Sequence, residues 1–259
     1  MVTGETDPTA FEGTLLIGWD GERVHWIAED GNGIADHGVD SEIGTLAELS
    51  LRFASAAAVK LSLLRPVCSL IPAAVADGIE SQVLDLHHGP RDPALTSRTF
   101  LSDRLGEGLA LIESGHFGSD DLFLKAFPLG RWTSSTLAAI EFGMNEVRSG
   151  DWAHTVHVDV AHGRALMMRF DAEALRWCSV THDVAGDGIL YHVVNSFHRE
   201  GLDPTAVQCR VVFAGGITED SPIVRQFKRF FETVELNFAH AELGESALLM
   251  HLVLSLIHI

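Results

Sequence analysis

Two short stretches place a carboxylate beside glycine where a β-strand pattern gives way to a turn. They are Asp20-Gly21 and Asp159-Val160-Ala161-His162-Gly163. Glycine in a tight turn lets backbone N–H groups approach an anion, and the neighbouring Asp can hold Mg²⁺ or a water. A third stretch, Val211-Val212-Phe213-Ala214-Gly215-Gly216, closes a buried-strand pattern on two glycines. Asp20, Gly21, Asp159, Gly163, Gly215 and Gly216 are the residues whose types could meet an anion, although glycines at strand ends are also ordinary turn residues. Hydrolysis of a bound phosphate would further need a side chain to position water, and none stands out, so no catalytic residue is assigned.

Other chemistries find less support. The chain has 14 histidines, but none forms His-Glu-x-x-His or a Cys/His pair at finger spacing, so no metal site is expected. No Gly-x-Ser-x-Gly elbow exists for a serine nucleophile. Gly31-Asn32-Gly33 is followed by no helix, so it is a turn and not a dinucleotide loop. The three cysteines, Cys68, Cys178 and Cys209, form no Cys-x-x-Cys pair and lie in apolar stretches, which reads as reduced core thiols in a cytoplasmic protein.

Composition excludes further classes. The 259 residues carry 36 acidic against 18 basic side chains, a net charge of −18. Phosphate-backbone binding needs clustered Lys and Arg, so no nucleic-acid partner is expected. Apolar runs fall short of the roughly 18 residues a spanning helix needs, and the N-terminal residues are polar and acidic, so neither membrane insertion nor secretion is expected. The length suits one large domain or two halves of about 130 residues. The last six residues, Leu254-Ser255-Leu256-Ile257-His258-Ile259, match one reading frame of a common transposon-end sequencing adapter, and they are left out of the fold expectation.

The elements that must position the candidates are clearest in the second half. Thr155–Asp159, Ala165–Phe170 and Leu175–Thr181 are β-favouring segments separated by turns and predict an antiparallel meander. Ile189, Leu190, Val193, Val194 and Phe197 mark an amphipathic helix with Asp187 as its N-cap. A strand over Gln208–Ala214 follows, then a helix with Ser221 as N-cap and Pro222 at N1, a strand over Val234–Phe238 and a helix over Glu245–Val253. The order is β-β-β-α-β-α-β-α. The first half repeats it loosely, with strands at Thr14–Trp19, Arg23–Ala28 and Gly33–Gly38 and a long helix over Ile43–Lys60. Strand and turn follow around Pro66, then an Ala-rich helix after Pro72, a loop over His87–Arg104, strands at Leu109–Ile112 and Leu122–Phe127, and a helix over Ser134–Val147. The expected divisions are a disordered 1–13, halves at 14–150 and 151–253, and the adapter-like tail 254–259.

Two such halves resemble a duplicated ribonuclease-H-like unit, the α/β architecture of the actin, sugar kinase and heat-shock ATPase superfamily. Asp159-Val160-Ala161-His162-Gly163 resembles that superfamily's second phosphate loop, Asp20-Gly21 falls at the equivalent turn of the first, and Val211–Thr218 followed by Ser221-Pro222 resembles its adenosine motif. The resemblance implies an actin-like ATPase fold whose cofactor would be ATP with Mg²⁺, its adenine lying against Gly215-Gly216, and it is what marks Asp20, Gly21, Asp159, Gly163, Gly215 and Gly216 as a ligand set. Ala161 stands where the middle glycine belongs, the first loop lacks the Asp-x-Gly spacing, and the adenosine motif has one extra residue before its proline. The resemblance thus implies a degenerate nucleotide cleft in a cytoplasmic scaffold with a protein partner, the alternative being an ATP-binding switch that closes its halves on Mg-ATP. Cys68-Ser69-Leu70-Ile71-Pro72, the meander Val156–Val184, the helix at 188–194 and the strand ending at Gly215 are also similar to an uncharacterised bacterial actin-like family, domain of unknown function 3822.

Overall fold

The computed structural model describes residues 11–42, 44–90, 92, 95–102, 105, 108–115, 120–237 and 243–254. The expectations for residues 1–10 and for the tail beyond Leu254 lie outside them.

Strands β1 (Thr14–Trp19), β2 (Val24–Asp30) and β3 (Gly33–Asp40) form an antiparallel meander, and helix α1 (Thr45–Arg52) crosses over to β4 (Ala58–Leu63), which pairs parallel to β1. β1 is apolar along nearly its whole length and buried from Leu15 to Trp19, the signature of a central strand covered on both faces. β3 instead alternates exposed and half-buried residues, as an edge strand does. A small antiparallel sheet then interrupts the plan: β5 (Val67–Pro72), helix α2 (Glu80–His88), β6 (Thr96–Leu101) and β7 (Leu109–Gly115), in the order β5-β7-β6. Helix α3 (Asp120–Ala126) and the short β8 (Arg131–Trp132) complete the first five-stranded sheet, β3-β2-β1-β4-β8, and α4 (Ser135–Ser149) follows.

The second half comprises β9 (His154–Ala161), β10 (Arg164–Asp171), β11 (Leu175–Thr181), α5 (Gly186–His198), β12 (Cys209–Gly215), α6 (Pro222–Phe227), β13 (Thr233–Leu236) and α7 (Ala247–Leu254). Its sheet runs β11-β10-β9-β12-β13. Both five-stranded sheets therefore share one connectivity, an antiparallel meander and then two parallel additions on its far side. The helices α4 and α7 lie between them: Ile140, Met144, Leu248 and Leu249 share one buried cluster with Leu16 and Ile27 of the first sheet and Leu166 and Phe170 of the second. Gly143 lets α4 approach β10, because a Cβ there would meet the Phe170 ring at 2.5 Å.

Several expectations are corrected. Leu122–Phe127 is not a strand: Phe123 and Phe127 are 1% and 5% exposed while Leu122 and Leu124 face solvent, a four-residue repeat that belongs to a helix. The expected helix over 43–60 stops at Arg52, because Leu61 and Leu63 are buried strand positions beside β1. The stretch 87–104 is not all loop, since α2 runs through His88 and β6 pairs with β7. The N-cap of α5 is Ala185, with Asp187 inside the first turn. The expected strand over 234–238 is β13, one residue earlier at its start, and Phe238 lies outside the described residues.

Candidate functional site

Asp20 follows directly on the last residue of β1. Its Oδ1 accepts from the amides of Glu22 (2.9 Å) and Arg23 (2.7 Å), fixing the turn into β2. Its Oδ2 lies 2.8 Å from Nε2 of His25, a fully buried residue on β2, and 3.4 Å from Nε of Arg23. Burial works to raise the Asp20 pKa, but the hydrogen bonds from His25 and the two amides outweigh it and hold the carboxyl well below the usual carboxylate range. Gly21 sits beside it at φ +104°, a conformation that favours glycine.

Across the cleft, β9 and β10 are joined by His162-Gly163 alone, and both residues have positive φ, 49° and 65°. This is the two-residue turn that suits the twist of a β-hairpin. Glycine takes this geometry freely, whereas histidine is held in it at a penalty of about 1–2 kcal/mol. What holds it is visible: His162 Nε2 is 2.5 Å from Oε2 of Glu245 and 3.6 Å from Oδ2 of Asp20. The other non-glycine residue with positive φ among those described is Arg65, at 52°. It follows the end of β4 and is 1% exposed. Left-handed backbone at two such residues, both in one cleft, is the kind of strain that accumulates at functional sites.

Arg65 explains where Asp159 goes. Asp159 lies on β9 and is 4% exposed; Nε of Arg65 donates to its Oδ1 at 2.5 Å, and the adjacent guanidinium nitrogen Nη2 also meets this carboxylate. Nη2 also donates to the Glu245 carbonyl at 3.1 Å, and Nη1 of Arg164 reaches the Arg65 carbonyl at 3.4 Å. Glu245, just before α7, closes the network by taking Arg23 Nη2 at 2.5 Å. Burial lowers the Arg164 pKa, and the nearby carboxylates of Asp20 and Glu22 oppose that shift.

Of the six candidates from the sequence, the two carboxylates enter one network, but not in the arrangement expected. Asp20 and Asp159 are joined through Arg23, Glu245 and Arg65 rather than flanking an open space. Gly216 spends its N–H on the Val160 carbonyl at 2.8 Å, and the Glu245 side chain lies over it. Gly215 is glycine because a Cβ would run into that same carbonyl at 2.3 Å, so its freedom serves the packing of β12 on β9. Gly21 and Gly163 face open space or the end of Arg164. The cleft beside this network holds about 170 Å³ between Trp19, Asp20, Gly21, Leu64, Arg164 and His182, small against the roughly 300–1,000 Å³ of ordinary ligand sites. Tested against Mg-ATP, these residues do not fit: one carboxylate is neutralised by a buried guanidinium, and the double glycine is already packed.

Sequence reasoning passed over Arg23, His25, Arg65, Arg164 and Glu245. Two of them left a trace, an Arg between Leu64 and Pro66 and a His inside the apolar run Val24-His25-Trp26-Ile27. A buried charge or imidazole in such a setting needs a partner.

Comparison with solved structures identifies the architecture. A Bacteroides thetaiotaomicron protein of unknown function with an actin-like ATPase fold is similar with a TM-score of 0.75 at 12% identity, over 99% of this chain and 100% of that one. A chain of the PilM-PilN type IV pilus biogenesis complex is similar at 0.60 and 11% identity, over 94% and 98%. The cytoplasmic domain of EpsL, an inner-membrane component of the type II secretion system of Vibrio cholerae, gives 0.54 and 11% identity, over 96% of each chain. The fold is that of the actin-like ATPases, as the meander and crossover pattern led one to expect. No protein-family model matches the chain, and no curated protein matches its sequence. Among the described residues no helix is long and apolar enough to cross a membrane.

Proposed function

We propose that this chain is a cytoplasmic actin-like scaffold that works by holding a protein partner, its nucleotide cleft converted into a side-chain clasp between two halves, residues 14–150 and 151–253. The observation that carries this reading is the buried Arg65–Asp159 ion pair. The carboxylate best placed by sequence to serve a nucleotide's metal is instead bound to a cation from the other half. A carboxylate so paired gains from the guanidinium what Mg²⁺ would otherwise supply, and displacing the pair would leave a charge buried without compensation.

Two of the similar structures belong to assemblies, a pilus biogenesis complex and a secretion system, which supports a binding role over a catalytic one. Membership in the uncharacterised actin-like family named above is part of the same proposal and rests on the residues given there. The test is thermal unfolding with and without millimolar Mg-ATP. Under the scaffold reading the midpoint does not move. A rise of several degrees that Asp159→Asn abolishes would overturn it in favour of a nucleotide switch.

A further inference from the structure

We propose that Asp20, His25 and His162, with Glu245 beside His162, form a binding site for a divalent transition-metal ion of the zinc class, bridging the two halves. One ligand atom of each of Asp20, His25 and His162 lies within 4.8 Å of the others. Asp20 Oδ2 is 2.8 Å from His25 Nε2 and 3.6 Å from His162 Nε2, and Glu245 Oε2 is 2.5 Å from His162 Nε2. Zinc bonds of about 2.0–2.1 Å to nitrogen and oxygen set tetrahedral edges of roughly 3.3 Å, so small side-chain adjustments bring the Asp20, His25 and His162 atoms around one ion, with the fourth position left to water or, after a larger movement, to Glu245.

Three further features distinguish this cluster from a chance meeting of polar groups. Nδ1 of His25 lies 3.0 Å from the Ser246 hydroxyl, so the ring is tethered on its far side and Nε2 is turned towards the cluster, as outer partners do for metal-bound histidines. Asp20 Oδ1 is held by two amides, which leaves Oδ2 to face inward. His162 is kept in left-handed backbone at the one position that brings its ring to Asp20 and Glu245. Two imidazoles with one carboxylate suit zinc and its neighbours and disfavour Mg²⁺ and Ca²⁺, which take oxygen ligands. Arg23 meets both Asp20 and Glu245, but its side chain is 23% exposed, so it has room to swing towards solvent when a metal takes its place. The ligands come from β2, the turn after β1 and the β9–β10 turn, so the ion would fasten the halves together. The site stands independently of the scaffold reading.

The experiment is isothermal titration of the untagged, chelator-treated full chain with zinc chloride. Cobalt(II) substitution would report the geometry through its visible absorption. One equivalent of zinc should bind at submicromolar Kd, with the intense visible bands of tetrahedral cobalt. His162→Ala, in a partly exposed turn that should fold normally by circular dichroism, should weaken zinc at least 10–100-fold, the loss seen even when an outer partner is removed. The His87→Ala/His88→Ala variant should bind as the parent does. No tight equivalent, binding indifferent to His162→Ala, binding lost with His87 and His88, or magnesium competing on equal terms with zinc would each overturn the proposal.

Discussion

Replacing Arg65 with Met would test the clasp most directly. Arg65 is 1% and Asp159 4% exposed, so solvent screens the pair little. Removing one partner of a buried ion pair costs about 3–5 kcal/mol, because the other charge is left uncompensated. In a domain of this size that corresponds to a fall in the unfolding midpoint of roughly 6–20 °C. Asp159→Asn should fall by a similar amount, since it strands the guanidinium. The double variant, Arg65→Met with Asp159→Asn, buries no charge at this position. It should therefore be less destabilised than either single variant and far short of their sum, with a coupling of at least about 3 kcal/mol. Guanidinium unfolding monitored by circular dichroism measures all four corners, and an unchanged slope would confirm that the unfolded reference has not shifted. If either single variant costs less than about 1 kcal/mol, or if the two effects simply add, the pair does not join the halves and the argument for a converted cleft fails.

Burial pushes the carboxyl of Glu113, on β7, up to about 7 against a hydrogen bond from Ser134. The native state thus holds a proton that the unfolded chain has lost above its ordinary 4.5, so stability should fall as pH rises through this interval, by about 3 kcal/mol in all. Glu113→Gln should accordingly leave stability near that of the parent at pH 4.5 and raise it progressively towards pH 9, read from denaturation midpoints across that range. Gly143→Ala should destabilise by about 1–3 kcal/mol despite alanine's better helix propensity, because its Cβ meets Phe170; a midpoint at or above the parent's would refute the close approach. The Cys68 thiol is raised by its contact with the Cys178 sulfur and by burial, and burial pushes Cys209 up to about 12. At pH 8 iodoacetamide should therefore leave Cys68 and Cys209 unmodified in the native protein and reach them after unfolding, as peptide mass mapping would show.

The sequence by itself determined what depends on near neighbours. The meander from β9 to β11 was legible because period-two patterns and turn residues act over a few positions, and α6 began at Pro222 after Ser221 for the same local reason. The first half was harder to read: an inserted sheet breaks its plan, and α3 is a single short helix whose apolar pair Phe123 and Phe127 mimics a strand when only six residues are in view. Of the candidate residues, Asp20 and Asp159 enter one side-chain network, and Gly215 and Gly216 pack against the Val160 carbonyl. What only the tertiary structure decided is what those residues touch. Arg65 and Asp159 are 94 positions apart, His25 and Ser246 are 221 apart, and Arg23 and Glu245 are 222 apart. No periodicity or motif spans such distances; the pairings exist because two sheets of one connectivity bring the turns after β1, β4 and β9 against the segment before α7. The charges buried there need partners, and only the fold determines which side chains are close enough to be them.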